Sequence, residues 1–180
     1  MKREEAFYYK HLLLLGFSEE YDAWLDAHLN AESPLSDIVL ELSLCGEDVR
    51  KTAALLHNYC AAEPFNTAVA IDQLRLFFKR AYDTGSMNVN EISAAMYQMA
   101  LNAEDLDECV LPLWGSFYYL DYYRALVEDG VIPHENFDFA FFSYLNQGIP
   151  LDTDRIWQKP SPQKPSLLHK LKAFFTKKKR

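Results

Sequence analysis

The stretch NTAVAIDQLRLFFKRAYD, residues 66–83, decides the fold. Ile71, Leu74, Phe77, Phe78 and Ala81 recur at spacings of three and four, which places them on one face of a helix. Asp72, Arg75, Lys79 and Arg80 are expected to point outward from it. Pro64 closes the segment before this helix and Gly85 breaks the chain after it.

The same reading extends in both directions. Upstream, Asp48 opens a helix whose buried face is Val49, Thr52, Leu56, Tyr59 and Cys60. Ser33-Pro34 reads as a cap followed by proline at the first helical position, with Leu35, Ile38, Val39, Leu42 and Cys45 in period until Gly46. Ser18 caps a helix carrying Tyr21, Trp24, Leu25, His28 and Leu29 on one side. The first helix runs from about Glu4 to Leu15 and ends at Gly16, with Phe17 supplying the apolar contact beyond the cap. Downstream, Asn88 and Glu91 stand at capping-box spacing before Ile92, Ala95, Met96 and Met99. Glu104–Val110 is a short segment with an acidic start, Trp114–Asp129 is an aromatic helix stopped by Gly130, and Asn136–Asn146 closes at Gly148 and Pro150. Phe137, Phe139 and Phe141 alternate as in a strand, yet the stretch is capped like a helix and no partner strand with a tight turn is visible.

These elements predict an all-α fold. Residues 1–158 form one acidic domain of about seven to eight helices, packed as antiparallel hairpins or an irregular bundle because the loops are short. A Pro-rich linker, 159–165, and a basic amphipathic tail helix, 166–180, follow. No fixed repeat period argues for a solenoid.

Charge divides the chain sharply. Of 18 Lys and Arg, eight lie in residues 159–180, which hold no acid; residues 1–158 carry ten bases against 26 acids, a net −16. So acidic a body repels phosphate over most of its surface, which makes nucleic acid a poor partner and a basic protein a good one. No run approaches the ~18 apolar residues that span a bilayer, and Met1–Glu5 lacks the pattern of a signal peptide. The expected location is the cytoplasm. Cys45, Cys60 and Cys109 form neither C-x-x-C pairs nor an even set and read as small buried hydrophobes.

No reaction class finds its residues. Neither Glu-x-x-His nor His-Glu-x-x-His occurs, and His57 with Cys60 offers two ligands at helical spacing where a metal site needs more. A thiolate at Cys60 would need an electropositive surrounding, which the acidic body does not offer. The glycines stand singly at helix ends and cradle no phosphate, and Glu104, Asp105, Asp107 and Glu108 are explained by the helix dipole. No catalytic residue, metal or cofactor is implied.

Two segments remain as candidate sites. Between Trp114 and Tyr144 lie 11 of the 26 aromatic residues. Trp114, Tyr118, Tyr119, Tyr122 and Tyr123, with Leu120, Leu126 and Val127, sweep about two-thirds of their helix, leaving Asp121, Arg124 and Glu128 as the polar ridge. An arc that wide predicts a central helix touched from several sides, or else a recognition surface rich in tyrosine. In the tail, Leu167, Leu168, Leu171, Phe174 and Phe175 form the apolar side, with Lys170, Lys172, Lys177, Lys178, Lys179 and Arg180 around it. Such a segment suits an anionic membrane, a groove on a partner or the acidic body itself, or else is a frayed terminus that does little. The leading expectation is a non-enzymatic binding protein, inhibitor-like or adaptor-like, whose body engages a basic partner. The alternatives are peripheral attachment to the inner face of the membrane through the tail, and an enzyme whose site is assembled from distant residues.

Overall fold

Three helices open by the same device. Asp48 accepts the Lys51 backbone N–H at 3.0 Å, Asn66 that of Val69 at 3.2 Å, and Asn88 that of Glu91 at 3.1 Å. The Glu91 carboxylate returns to the Asn88 N–H at 2.8 Å and completes a capping box. The first helix ends as its glycine predicts. Gly16 sits at φ 85°, its N–H donates to Leu13 O at 3.0 Å, and Phe17 N–H reaches Leu12 O at 2.9 Å.

The computed structural model describes residues 1–31, 33–102 and 111–157, with the backbone alone for 111–113. Among these residues the helices are α1 (Arg3–Leu14), α2 (Glu19–Ala31), α3 (Asp37–Ser43), α4 (Val49–Ala61), α5 (Thr67–Asp83), α6 (Val89–Leu101), α7 (Leu111–Glu128), α8 (His134–Gln147) and α9 (Thr153–Ile156). No strand occurs among them, and none of the described helices is long and apolar enough to cross a membrane. The acidic segment 104–110, Cys109 and the tail 166–180 lie outside the described residues.

α1 packs chiefly on α4 and α6 on α7, while α5 touches α1, α6, α7 and α8. The start of α1 meets the end of α4: Tyr59 hydroxyl donates to Met1 O at 2.8 Å, and Arg3 donates to the Tyr59 carbonyl. Where the elements converge, Phe78, Phe117, Phe141 and Tyr144 are wholly buried. Burying one such side chain contributes about 1.5–3 kcal/mol relative to exposure.

Four expectations need correction. Pro34 does not begin a helix; Ser36 holds the N-cap position of α3, and Ser33-Pro34 is a cis peptide two residues upstream. Val49 is exposed, because α4 turns Thr52, Ala53, Leu56 and Cys60 inward instead. Arg75 is buried. Its Nε donates to Asp72 at 2.7 Å and its Nη1 to the Leu145 carbonyl, so it closes the C-terminal end of α8. Gly148 at that end has φ 68°, and a Cβ there would stand 3.3 Å from Arg75 Nε, so glycine serves both the backbone and the close approach. Fourth, α7 starts before Trp114, with Pro112 in its first turn, where a missing N–H costs nothing.

Candidate functional site

α7 resolves the ambiguity of its aromatic arc by turning half of it each way. Trp114, Phe117, Leu120 and Tyr123 face the core. Trp114 stacks on Phe117 at 5.2 Å between centroids, and Phe117 meets Phe78 at 6.2 Å and Tyr144 at 5.9 Å edge-on. Tyr118, Tyr119 and Tyr122 face outward, 42%, 42% and 50% exposed. α7 is thus touched from several sides, by α1, α5, α6 and α8, and keeps one open aromatic face.

The predicted polar ridge reaches solvent most at Glu128, whose side chain is 59% exposed, and less so before it. Asp121 and Arg124 keep about a quarter of their side chains exposed (24% and 23%), flanking the core side. Arg124 donates to Asp121 at 2.9 Å and to Glu128 at 2.6 Å, so the pairings allowed by the spacing are both made. Pairing lets Asp121 and Arg124 sit largely buried, while Glu128 and the amphipathic tyrosines take water-facing positions.

The outward tyrosines belong to a larger ledge. Tyr97 of α6 lies 5.3 Å from Tyr118, which meets Tyr119 at 5.2 Å; Tyr119 and Tyr122 both adjoin Tyr123. At the far end the ring of Trp157, 51% exposed, stands edge-on to Tyr123 at 6.3 Å. Tyr97 and Trp157 were not foreseen, since each sits on another element and only tertiary packing brings it here. Burial raises the Tyr123 phenol above its ordinary value, with Tyr119 and Tyr122 adding to the effect. The phenol therefore stays protonated near neutrality. Such a surface offers apolar area, hydroxyls and π faces for cations.

A groove of about 600 Å³ lies elsewhere, between the end of α1, the start of α2 and the end of α5. Phe17, Phe77 and Met87 line it, and Glu20 and Arg80 stand at its edge. Arg80 donates to Glu20 at 2.8 Å and to the Tyr8 hydroxyl at 3.2 Å, and that hydroxyl donates to Glu20. Burial, then the bond to Glu20, raises the Tyr8 pKa, so Tyr8 is no base. The three groups satisfy one another and tie α1, α2 and α5 together.

Among the buried polar groups His11 and Trp114 stand together. His11 is 1% exposed, and neither ring nitrogen has a hydrogen-bond partner among the described residues; the same holds for Trp114 Nε1 beside it. Burial lowers the His11 pKa to about 3, with Lys10 and His57 adding repulsion. The imidazole is neutral and packs as an aromatic ring, 4.5 Å from Phe7 and 5.5 Å from Trp114. Cys60 Sγ donates to the His57 carbonyl at 3.2 Å, and His57 Nδ1 lies 3.4 Å from Lys10 Nζ. Cys45 and Cys60 are buried, and no group of three metal-binding side chains occurs among the described residues. Comparison with protein-family models, curated proteins and solved structures gives no match to this chain.

Proposed function

We propose that the protein is a non-enzymatic interaction protein of the cytoplasm, and that its tyrosine ledge receives a basic segment of a protein partner. One observation carries the reading: Tyr118, Tyr119 and Tyr122 stand half-exposed, side by side, on a body of net charge −16. Tyrosine is enriched at interfaces because its rigid ring buries area at small entropic cost while its hydroxyl keeps a partner. A Lys or Arg over such a ring adds about 0.5–2 kcal/mol, more as water is excluded. The surrounding negative field would steer a cationic partner in and turn nucleic acid away.

The test uses a lysine- and arginine-rich amphipathic peptide as probe against the full chain, followed by calorimetry. Replacing Tyr118, Tyr119 and Tyr122 together by Ser should weaken binding at least about tenfold, a loss of roughly 1.4 kcal/mol. Raising the salt should weaken the wild-type complex as well. Equal affinity of wild type and triple variant would overturn the reading.

A further inference from the structure

We propose that residues 166–180 of this same chain are the resident occupant of the tyrosine ledge, and that a basic partner binds by displacing them. The proposal rests on the reading of the ledge just given. It starts from where the described chain leaves the body. Trp157, the last described residue, lies edge-on to Tyr123 at 6.3 Å, and Tyr123 adjoins both Tyr119 and Tyr122. The chain therefore departs from the ledge itself.

Reach is ample. Eight residues, 158–165, separate Trp157 from Ser166, and three of them are proline. At about 3.1 Å per residue, eight residues can reach up to roughly 25 Å. Along α7 the distance from Tyr123 back to Tyr118 is only about 7.5 Å at 1.5 Å per residue. A segment so tethered competes at an effective concentration of order millimolar, so even a weak contact is populated.

The chemistry is complementary. Leu167, Leu168, Leu171, Phe174 and Phe175 match half-exposed rings, and the lysines among them suit phenol faces and an acidic surround. Residues 159–180 carry eight bases and no acid against the body's net −16. The groove beside α2 is lined by α1, α2 and α5, whereas the described chain ends against α7.

The direct experiment places the photoreactive analogue p-benzoyl-phenylalanine at Phe174 in the full chain and maps the crosslinks. The expected result is a crosslink within one chain, onto Tyr97 or the outward face of α7. Crosslinks elsewhere on the body, between chains only, or none at all would overturn the proposal. So would equal sedimentation of wild type and the triple Tyr→Ser variant with phosphatidylserine-containing vesicles while no ledge crosslink forms; the tail would then belong to a membrane. A second measurement separates this idea from the reading beneath it. Leu171→Asp with Phe174→Asp should tighten binding of the basic probe peptide about tenfold by uncovering the ledge. A probe that binds both forms equally sinks the resident tail and leaves the ledge reading intact. A ledge crosslink in a chain that never binds the probe keeps the tail and removes the partner.

Discussion

The two faces of α7 carry nearly the same residue types and do opposite things. On one side Trp114, Phe117, Leu120 and Tyr123 are buried among rings from α1, α5 and α8; on the other, Tyr118, Tyr119 and Tyr122 keep roughly half their surface in water. Aromatic content therefore does not say which side is the core. Nor does the polar group alone, since Tyr123 and Trp114 are buried with theirs; the rings of α1, α5 and α8 packed on one side decide it. Phe117 has no polar group and is 0% exposed, whereas each outward ring ends in a hydroxyl that water can satisfy.

The widest contrast between the faces comes from truncating one ring on each. Phe117→Ala should cost about 3–5 kcal/mol, because it opens a cavity between Trp114, Phe78 and Tyr144 that rigid neighbours fill poorly. Chemical denaturation reads this directly, and a loss below about 1 kcal/mol would deny Phe117 its place in the core.

Acid probes the buried side next. The folded pKa of His11 lies at about 3, below the unfolded value near 6.5, so the unfolded chain binds the extra proton first. Stability is whole above about pH 6.5 and falls as the pH drops toward 3, by on the order of 3 kcal/mol at pH 4. His11→Phe, a ring of similar shape beside Phe7 and Trp114, should remove that part of the acid sensitivity. Parallel stability-versus-pH curves for the two proteins would show that His11 titrates normally.

A smaller effect belongs to the partly exposed staple. Glu20→Gln weakens the charge pairing with Arg80 and should cost about 0.5–1 kcal/mol, the range of exposed ion pairs, and less in high salt. A cost that is indifferent to salt would mean the bond to Tyr8, rather than the ion pair, holds α2 to α1. Smallest of all, Tyr118→Ser, Tyr119→Ser and Tyr122→Ser should each shift stability by no more than about 0.5 kcal/mol, as surface positions do.

Much of the fold was legible because its signals are local. Asp48 and Asn88 cap the helices they are expected to cap, and Gly16 and Gly148 end theirs, since caps involve residues only a few positions apart. Arg75 was misplaced for the opposite reason: its partner is a carbonyl 70 residues away. Phe117 escaped the predicted arc of α7 because spacings of three and of four both fit an aromatic-rich helix, and only the neighbours choose between them. The same holds for the candidate site. Tyr118, Tyr119 and Tyr122 were visible as a tyrosine cluster, but Tyr97 and Trp157 join it from α6 and beyond α9, which no spacing in the chain foretells.

The account stands or falls on the outward face being built for contact rather than for stability. The most direct measurement compares the full chain with its Tyr118→Ser, Tyr119→Ser, Tyr122→Ser variant in two assays at once, denaturation and binding of the basic amphipathic peptide. The account predicts unfolding curves within about 1.5 kcal/mol of each other and affinity lower by about tenfold or more. A variant that loses several kcal/mol of stability, or one that holds the peptide as tightly as the wild type, would contradict it.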